Sequence, residues 1–299
     1  MQNRFATAVT TLSLIATTHA VGQVAGNTSS ASATQPAVTP TELPGATTYI
    51  YRDLKPEPLR LFVVNPPNWK ASDRRPAYVF FFGGGFIKGT PDRSIGTAKS
   101  LTKLGFVGIA PDYRTRERFG TTGVECIADA RASLRWVQDH ASELGVDPER
   151  IVVGGSSAGG SLALWTAIGR TPPGSVDAES PKFKPAALIL FSAPTDTLSS
   201  KRAPLFGKHA AELSPVQNLD AKIPPVLAFH GDADTTVPHS DAVKLRDALR
   251  ATGSEIELVT VPGGDHGFRT QLPEWKAKSD GLIADFIRAH KLAEPAAAK

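Results

Sequence analysis

The chain is expected to fold as an α/β protein in which a mainly parallel central sheet is covered by helices on both faces. Three observations lead there. Short apolar runs alternate with longer amphipathic segments along most of the length. Several runs, Ile151-Val152-Val153 among them, are apolar at consecutive positions, which leaves no wet face and fits strands buried from both sides. Gly145 and the pair Asp147-Pro148 mark stops and starts where one periodicity gives way to the other.

Taken in order, strands are expected over 59–64 (LRLFVV), 77–82 (AYVFFF), 106–110 (FVGIA), 151–154 (IVVG), 186–191 (ALILF after its leading Ala), 225–230 (PVLAFH) and 255–261 (EIELVTV). Each is too short for a helix and rich in β-branched or aromatic residues. Helices are expected over 94–104, 123–144, 161–168, 240–251 and 274–290, where apolar positions recur at helical spacing between polar ones. Strands alternating with helices imply parallel pairing through crossovers.

At 299 residues, trimmed at both ends to about 250, the chain suits one catalytic domain with a sizeable core. Its net charge of +4 is spread: Lys and Arg never run beyond pairs such as Arg74-Arg75 and Lys201-Arg202, with acids between. That is a solvated mixed surface and argues against a nucleic-acid partner. Arg4, a small and apolar stretch over 5–16 and Thr18-His19-Ala20 together read as a secretory signal over 1–20, so a secreted or periplasmic location is expected. The apolar stretch is too short and too rich in Thr to span a bilayer of about 30 Å. Residues 21–46, mostly Ala, Thr, Ser, Gly and Pro, read as a disordered linker, 47–292 as the domain, and 293–299 as a disordered tail. Cys126 is the single cysteine, so no intramolecular disulfide is possible, and it reads as a buried structural thiol. With no H-E-x-x-H among seven His, no metal is expected, and no cofactor is required.

The chemistry concentrates at GGSSAGG, Gly154 to Gly160, between an expected strand and an expected helix. Gly155-x-Ser157-x-Gly159 is the pattern of a nucleophile elbow, whose small flanking residues let the chain turn sharply and stand the Ser157 hydroxyl clear of the sheet. A dinucleotide loop would need glycine where Ser156 stands, and a phosphate loop would need Gly-Lys-Ser/Thr to follow. A serine nucleophile needs a base and the base an orienting acid, in the chain order Ser, acid, His for this architecture. Asp234, in HGDADTTVP past the strand at 225–230, and His266, in GGDHGF past the strand at 255–261, supply them at the same sheet edge. Asp232 is the rival acid and reads better as a turn former, as does Asp265 beside His266; His230 reads as a strand-end packing residue. Phe82-Gly83-Gly84-Gly85, closing another strand, offers unobstructed backbone N–H groups for a developing oxyanion, with the N–H of Ala158 as the second donor.

FFGGGF, the Asp112-Tyr113-Arg114 that follows FVGIAP, GSSAGG, HGDADTTVP and GGDHGF together resemble the α/β-hydrolase carboxylesterases, over about residues 47 to 290. Within that group the resemblance is to acetyl-xylan and feruloyl esterases and, more distantly, to hormone-sensitive-lipase-like enzymes. It implies an α/β-hydrolase fold with a short lid insertion, ping-pong acyl transfer by Ser157, His266 and Asp234, and Gly84, Gly85 and Ala158 as the oxyanion donors. The family's His-Gly-Gly-Gly is Phe82-Gly83-Gly84-Gly85 here, so the histidine that braces the oxyanion loop is missing. An insertion over 198–222 is expected to form one or two short helices, either at the mouth of the site or as ordinary cover. Phe86, Ile87, Thr195 and Asp196 are the candidate substrate contacts. Acetyl esters on carbohydrate, such as acetylated xylan, are the expected substrates. A serine peptidase of the prolyl-oligopeptidase type and a non-catalytic binding protein of the same fold are the alternatives.

Overall fold

The computed structural model describes residues 38–172, 180–198, 203 and 206–293. The expected signal at 1–20, residues 21–37 of the expected linker and 294–299 of the expected tail lie outside them.

Eight strands form one sheet: β1 (Thr47–Arg52), β2 (Leu59–Val64), β3 (Arg75–Phe81), β4 (Val107–Pro111), β5 (Val146–Ser156), β6 (Ala187–Phe191), β7 (Val226–Gly231) and β8 (Ile256–Val261). Their spatial order is β1-β2-β4-β3-β5-β6-β7-β8. β2 pairs antiparallel with both its neighbours, and every pairing from β4 through β8 is parallel. All parallel strands therefore end at one edge, and the loops leaving that edge can converge.

The helices are α1 (Asp92–Ser100), α2 (Arg116–Phe119), α3 (Gly123–Asp139), α4 (Ala158–Ala167), α5 (His239–Ala251), α6 (Phe268–Gln271) and α7 (Pro273–Ala289). Successive strand residues feed opposite faces. Val79 and Phe81 of β3, with Val153 of β5, join Val124, Leu134, Leu162 and Leu245 from α3, α4 and α5 in one core. Tyr78 and Phe80 of β3, with Val152, join Ala98, Ile283, Phe286 and Ile287 from α1 and α7 in the other. Burial on both faces is why these strands are apolar at every position rather than at alternate ones.

Beyond shifts of a few residues at several element ends, three differences from the sequence reading stand out. β1 was not signalled, because TTYIYR leaves Thr47 and Ile50 exposed on an edge strand and lacks a continuous apolar run. α3 ends at Asp139 rather than 144: the chain turns over His140 to Gly145, the latter at φ +61, where a side chain would be strained. β5 starts at Val146, so Asp147-Pro148 opens a strand, with Asp147 accepting hydrogen bonds from Arg74 and Arg150 at 3.2 Å each.

The linker expected over 21–46 is corrected at its C-terminal end. Thr39 is buried and its Oγ1 donates to Asp112 Oδ2 at 2.7 Å. Arg118 ties the same cluster together, binding Asp112 at 2.6 Å, Glu57 at 3.0 Å and Thr39 Oγ1. A hydroxyl that can satisfy a buried carboxylate holds this polar stretch against the domain.

Candidate active site

Ser157 sits between β5 and α4 at φ 52, ψ −127, a conformation few side-chain-bearing residues adopt. The surroundings impose it: the Ser157 N–H donates to Phe191 O at 2.8 Å and the Ser157 carbonyl accepts from Gly160 N at 2.8 Å. A Cβ on Gly159 would lie 2.3 Å from Phe81 O, and one on Gly155 2.2 Å from the Gly159 backbone, so the tight turn needs glycine on both sides. All ten residues of α4 are buried. As the first residue of that helix, Ala158 has an N–H with no intrahelical acceptor.

The loop after β3 packs on this turn. Gly84, at φ +153, could not carry a side chain, since its Cβ would stand 1.7 Å from Lys88 O. The Gly84 carbonyl accepts from the N–H groups of Ile87 and Lys88 at 3.1 Å each, closing the loop, while the N–H groups of Gly84 and Gly85 take no backbone acceptor among the described residues. Phe82, which stands where the resembling enzymes carry histidine, stacks on Tyr113 with ring centroids 4.1 Å apart. The Tyr113 hydroxyl donates to the Phe82 carbonyl at 2.9 Å and both rings are fully buried. The loop is thus braced through its backbone by a tyrosine from the far side.

Asp234 and His266 leave adjacent strands, β7 and β8, whose register pairs His230 with Thr260 and Gly231 with Val261. His266 Nδ1 lies 2.8 Å from Asp234 Oδ2 and Nε2 lies 2.9 Å from Ser157 Oγ. Ionised Asp234 accepts, so Nδ1 carries the proton and Nε2 is free to accept from the serine hydroxyl. Asp234 Oδ1 accepts from Thr236 N and Val237 N at 2.8 Å each. Burial alone would raise the Asp234 carboxyl, but hydrogen bonds from His230, His266 and the Val237 N–H outweigh it and hold the group well below the usual carboxylate range. The rival acid Asp232 instead accepts from Gly263 N at 2.7 Å, and Asp265 accepts from Thr235 N at 3.0 Å. These two bonds cross-tie the acid and base loops in opposite directions.

The sequence missed His230. Buried in β7, its Nε2 lies 3.0 Å from Val237 O and 3.3 Å from Asp234 Oδ2, so it fixes the acid from behind. The HGDAD spacing puts it four residues before Asp234, but nothing in the letters separates such a role from packing.

A cavity of about 690 Å³ opens over Ser157, lined by Gly83, Gly84, Gly85, Ile87 and His266 among others. Three of the expected substrate contacts do not line it. Phe86 is buried with its ring against Phe206, centroids 5.2 Å apart. Thr195 is buried and donates to Asp241 O at 2.7 Å, and Asp196 is bound by Lys244 at 2.6 Å. These two anchor the segment after β6 to α5, a structural use of polar residues that the sequence read as substrate-facing. The described part of the 198–222 insertion contains single turns at Gly207–His209 and Pro215–Gln217 and contributes no residue to the cavity lining. Phe206 packs on Phe86, and Leu213 accepts from Trp165 Nε1 at 3.2 Å, so it serves as cover for α4.

An eight-stranded sheet with one reversed strand, a serine on a strained turn before a buried helix, and Asp234 and His266 at the same edge are the arrangement of the α/β-hydrolase class. The chain belongs to the BD-FAE family, whose model matches residues 63–249. It is 29% identical over 196 residues to the probable carboxylic ester hydrolase LipM of Mycobacterium tuberculosis, covering 56% of this chain and 43% of that protein. To the carboxylesterase NlhH of the same organism it is 27% identical, covering 66% of this chain and 67% of that protein. The chain thus spans from under half to about two thirds of these relatives. Esterase 2 of Thermogutta terrifontis, in its apo form, superposes with a TM-score of 0.76 at 34% identity, over 85% of this chain and 98% of that one.

Proposed function

We propose that the protein hydrolyses short-chain carboxylic esters through an acyl-enzyme formed on Ser157. The observation that carries this reading is the unbroken relay from Ser157 Oγ to His266 Nε2, at 2.9 Å, and from His266 Nδ1 to Asp234 Oδ2, at 2.8 Å. Ser157 Oγ bonds to the ester carbonyl carbon as its proton passes to Nε2; the carbon–oxygen bond to the alcohol then breaks and the alcohol leaves with that proton. Water repeats the sequence in reverse roles and releases the acid. The oxyanion faces the N–H groups of Gly84, Gly85 and Ala158. Asp234, held ionised, keeps the imidazole in the working tautomer and stabilises the imidazolium.

Structures of the Thermogutta terrifontis esterase 2 include forms with propionate and butyrate bound and one phosphorylated by paraoxon. That supports small acyl groups and an activated serine in the present chain. The resemblance to acetyl-xylan esterases favours acetylated carbohydrate as the natural alcohol, and the N-terminal segment favours export. The test is a series of 4-nitrophenyl esters with Ser157→Ala as control: kcat/KM is expected to peak at two to four carbons and to vanish in the variant, whose thermal melt stays that of the parent. A maximum at eight or more carbons, or full activity in Ser157→Ala, overturns the reading.

A further inference from the structure

We propose that the cavity selects esters carrying a carboxylate elsewhere in the molecule, which Lys88 and Arg93 hold at its rim. The inference rests on the ester-hydrolase reading above and concerns which esters the site prefers.

The residues lining the cavity include three cations, Lys88, Arg93 and Arg269, against one carboxylate, Glu117. The side chains of Lys88 and Arg93 have no hydrogen-bonded or ion-paired partner among the described residues, whereas Arg52, Arg75, Arg114, Arg118 and Arg150 are each tied to a carboxylate. Both are placed by the site's own machinery. Lys88 closes the oxyanion loop through its N–H to Gly84 O, and Arg93 stands in the first turn of α1, the helix that follows that loop. Arg269 stands on α6, just past His266. Its guanidinium lies over the Phe191 ring at 4.5 Å and gives one nitrogen to Asp280 at 2.5 Å, while Nε is buried without a partner. Cations from the oxyanion loop, from α1 and from α6 therefore line one cleft that also holds Ser157.

Net positive charge in a concave site focuses its field on the interior, where solvent screens less than on a flat surface. A neutral ester gains nothing from this arrangement. An ester whose acyl or alcohol part bears a carboxylate gains attraction on approach and charge-assisted hydrogen bonds on binding. The carboxylate could sit on the acid, as in a dicarboxylic half-ester, or on the alcohol, as in a uronate-bearing carbohydrate. The chemistry recognised is the same.

Two substrate pairs separate these sources. Methyl hydrogen succinate against methyl 4-oxopentanoate puts the charge on the acyl side; 4-acetoxybenzoate against 4-acetoxybenzamide puts it on the alcohol side. In at least one pair the anionic member is expected to show about 10-fold higher kcat/KM at low salt, and the advantage to shrink as ionic strength rises. Arg93→Gln and Lys88→Gln should each cut the anionic-to-neutral ratio about 5-fold. The pair that shows the effect identifies the side. Equal or better use of the neutral members in both pairs overturns the proposal, as does a preference untouched by both substitutions and by salt. Hydrolysis of 4-nitrophenyl acetate is run alongside. If it too is absent, the hydrolase reading fails, and binding of 4-acetoxybenzoate against its amide to the Ser157→Ala protein decides the carboxylate question by itself.

Discussion

Tyr113 occupies a position with two consequences. Its hydroxyl bonds the Phe82 carbonyl and its ring stacks beneath Phe82, so the backbone that presents Gly84 and Gly85 leans on one buried side chain. Tyr113→Phe removes one oxygen and leaves that carbonyl unmet, a cost of about 1–3 kcal/mol in stability. Turnover is expected to fall more than KM rises, because the loop acts on the transition state. Steady-state kinetics and a denaturant melt check both. Asp234→Asn should cost three to four orders of magnitude, on the order of 10⁴, in kcat by favouring the wrong tautomer. Asp232→Asn, which only loosens the bond to Gly263 N, should keep most activity. Asp234 also titrates with the fold. Its folded carboxyl is depressed, so its stabilisation is complete above the unfolded value near pH 4 and drains away as acid is added below that. A stability profile from pH 7 to pH 2 should lose part of its acid slope in Asp234→Asn, and an unchanged slope would contradict this linkage.

Among the elements, the strand-turn-helix around Ser157 has the least slack. Gly159→Ala would drive a methyl group to 2.3 Å from Phe81 O, backbone that cannot swing aside. Overpacking of this kind costs about 1–3 kcal/mol or more, and here it should displace the oxyanion loop as well. A lowered melting temperature with disproportionate loss of kcat is the expected pair of results. This element was legible in the sequence because glycine, serine and the flanking apolar run are each dictated by local sterics. The placement of Asp234 and His266 at one sheet edge was legible because each follows an apolar strand by a short distance. Phe86, Thr195 and Asp196 misled because direction is not written in a loop: Phe86 follows Gly85, yet its ring turns into the core against Phe206. Edge strand β1 was illegible for a related reason, since none of its six positions is fully buried and two, Thr47 and Ile50, are exposed, so it carries no pattern distinct from the polar stretch before it.

For the molecule as a whole, the cluster of Thr39, Asp112, Arg118 and Glu57 joins the segment ahead of β1 to the end of β4. Burial pushes the Asp112 carboxyl up, and the Arg118 guanidinium opposes that shift. Arg118→Ala strands a buried carboxylate and should cost about 3–5 kcal/mol in unfolding free energy, far more than removal of an exposed pair such as Arg288 with Asp285. Equilibrium denaturation of the two variants makes the comparison. The strand order has a consequence of a different sort. Ser157 rises from β5, which has a strand on either side, whereas His266 hangs from β8, which has β7 on one side and no strand on the other. Edge elements open with smaller free energies than central ones. Heat should therefore detach the base while the nucleophile is still seated, so that hydrolysis fades at temperatures where the fluorescence of Trp165, packed in α4, still reports an intact interior, and cooling brings the activity back.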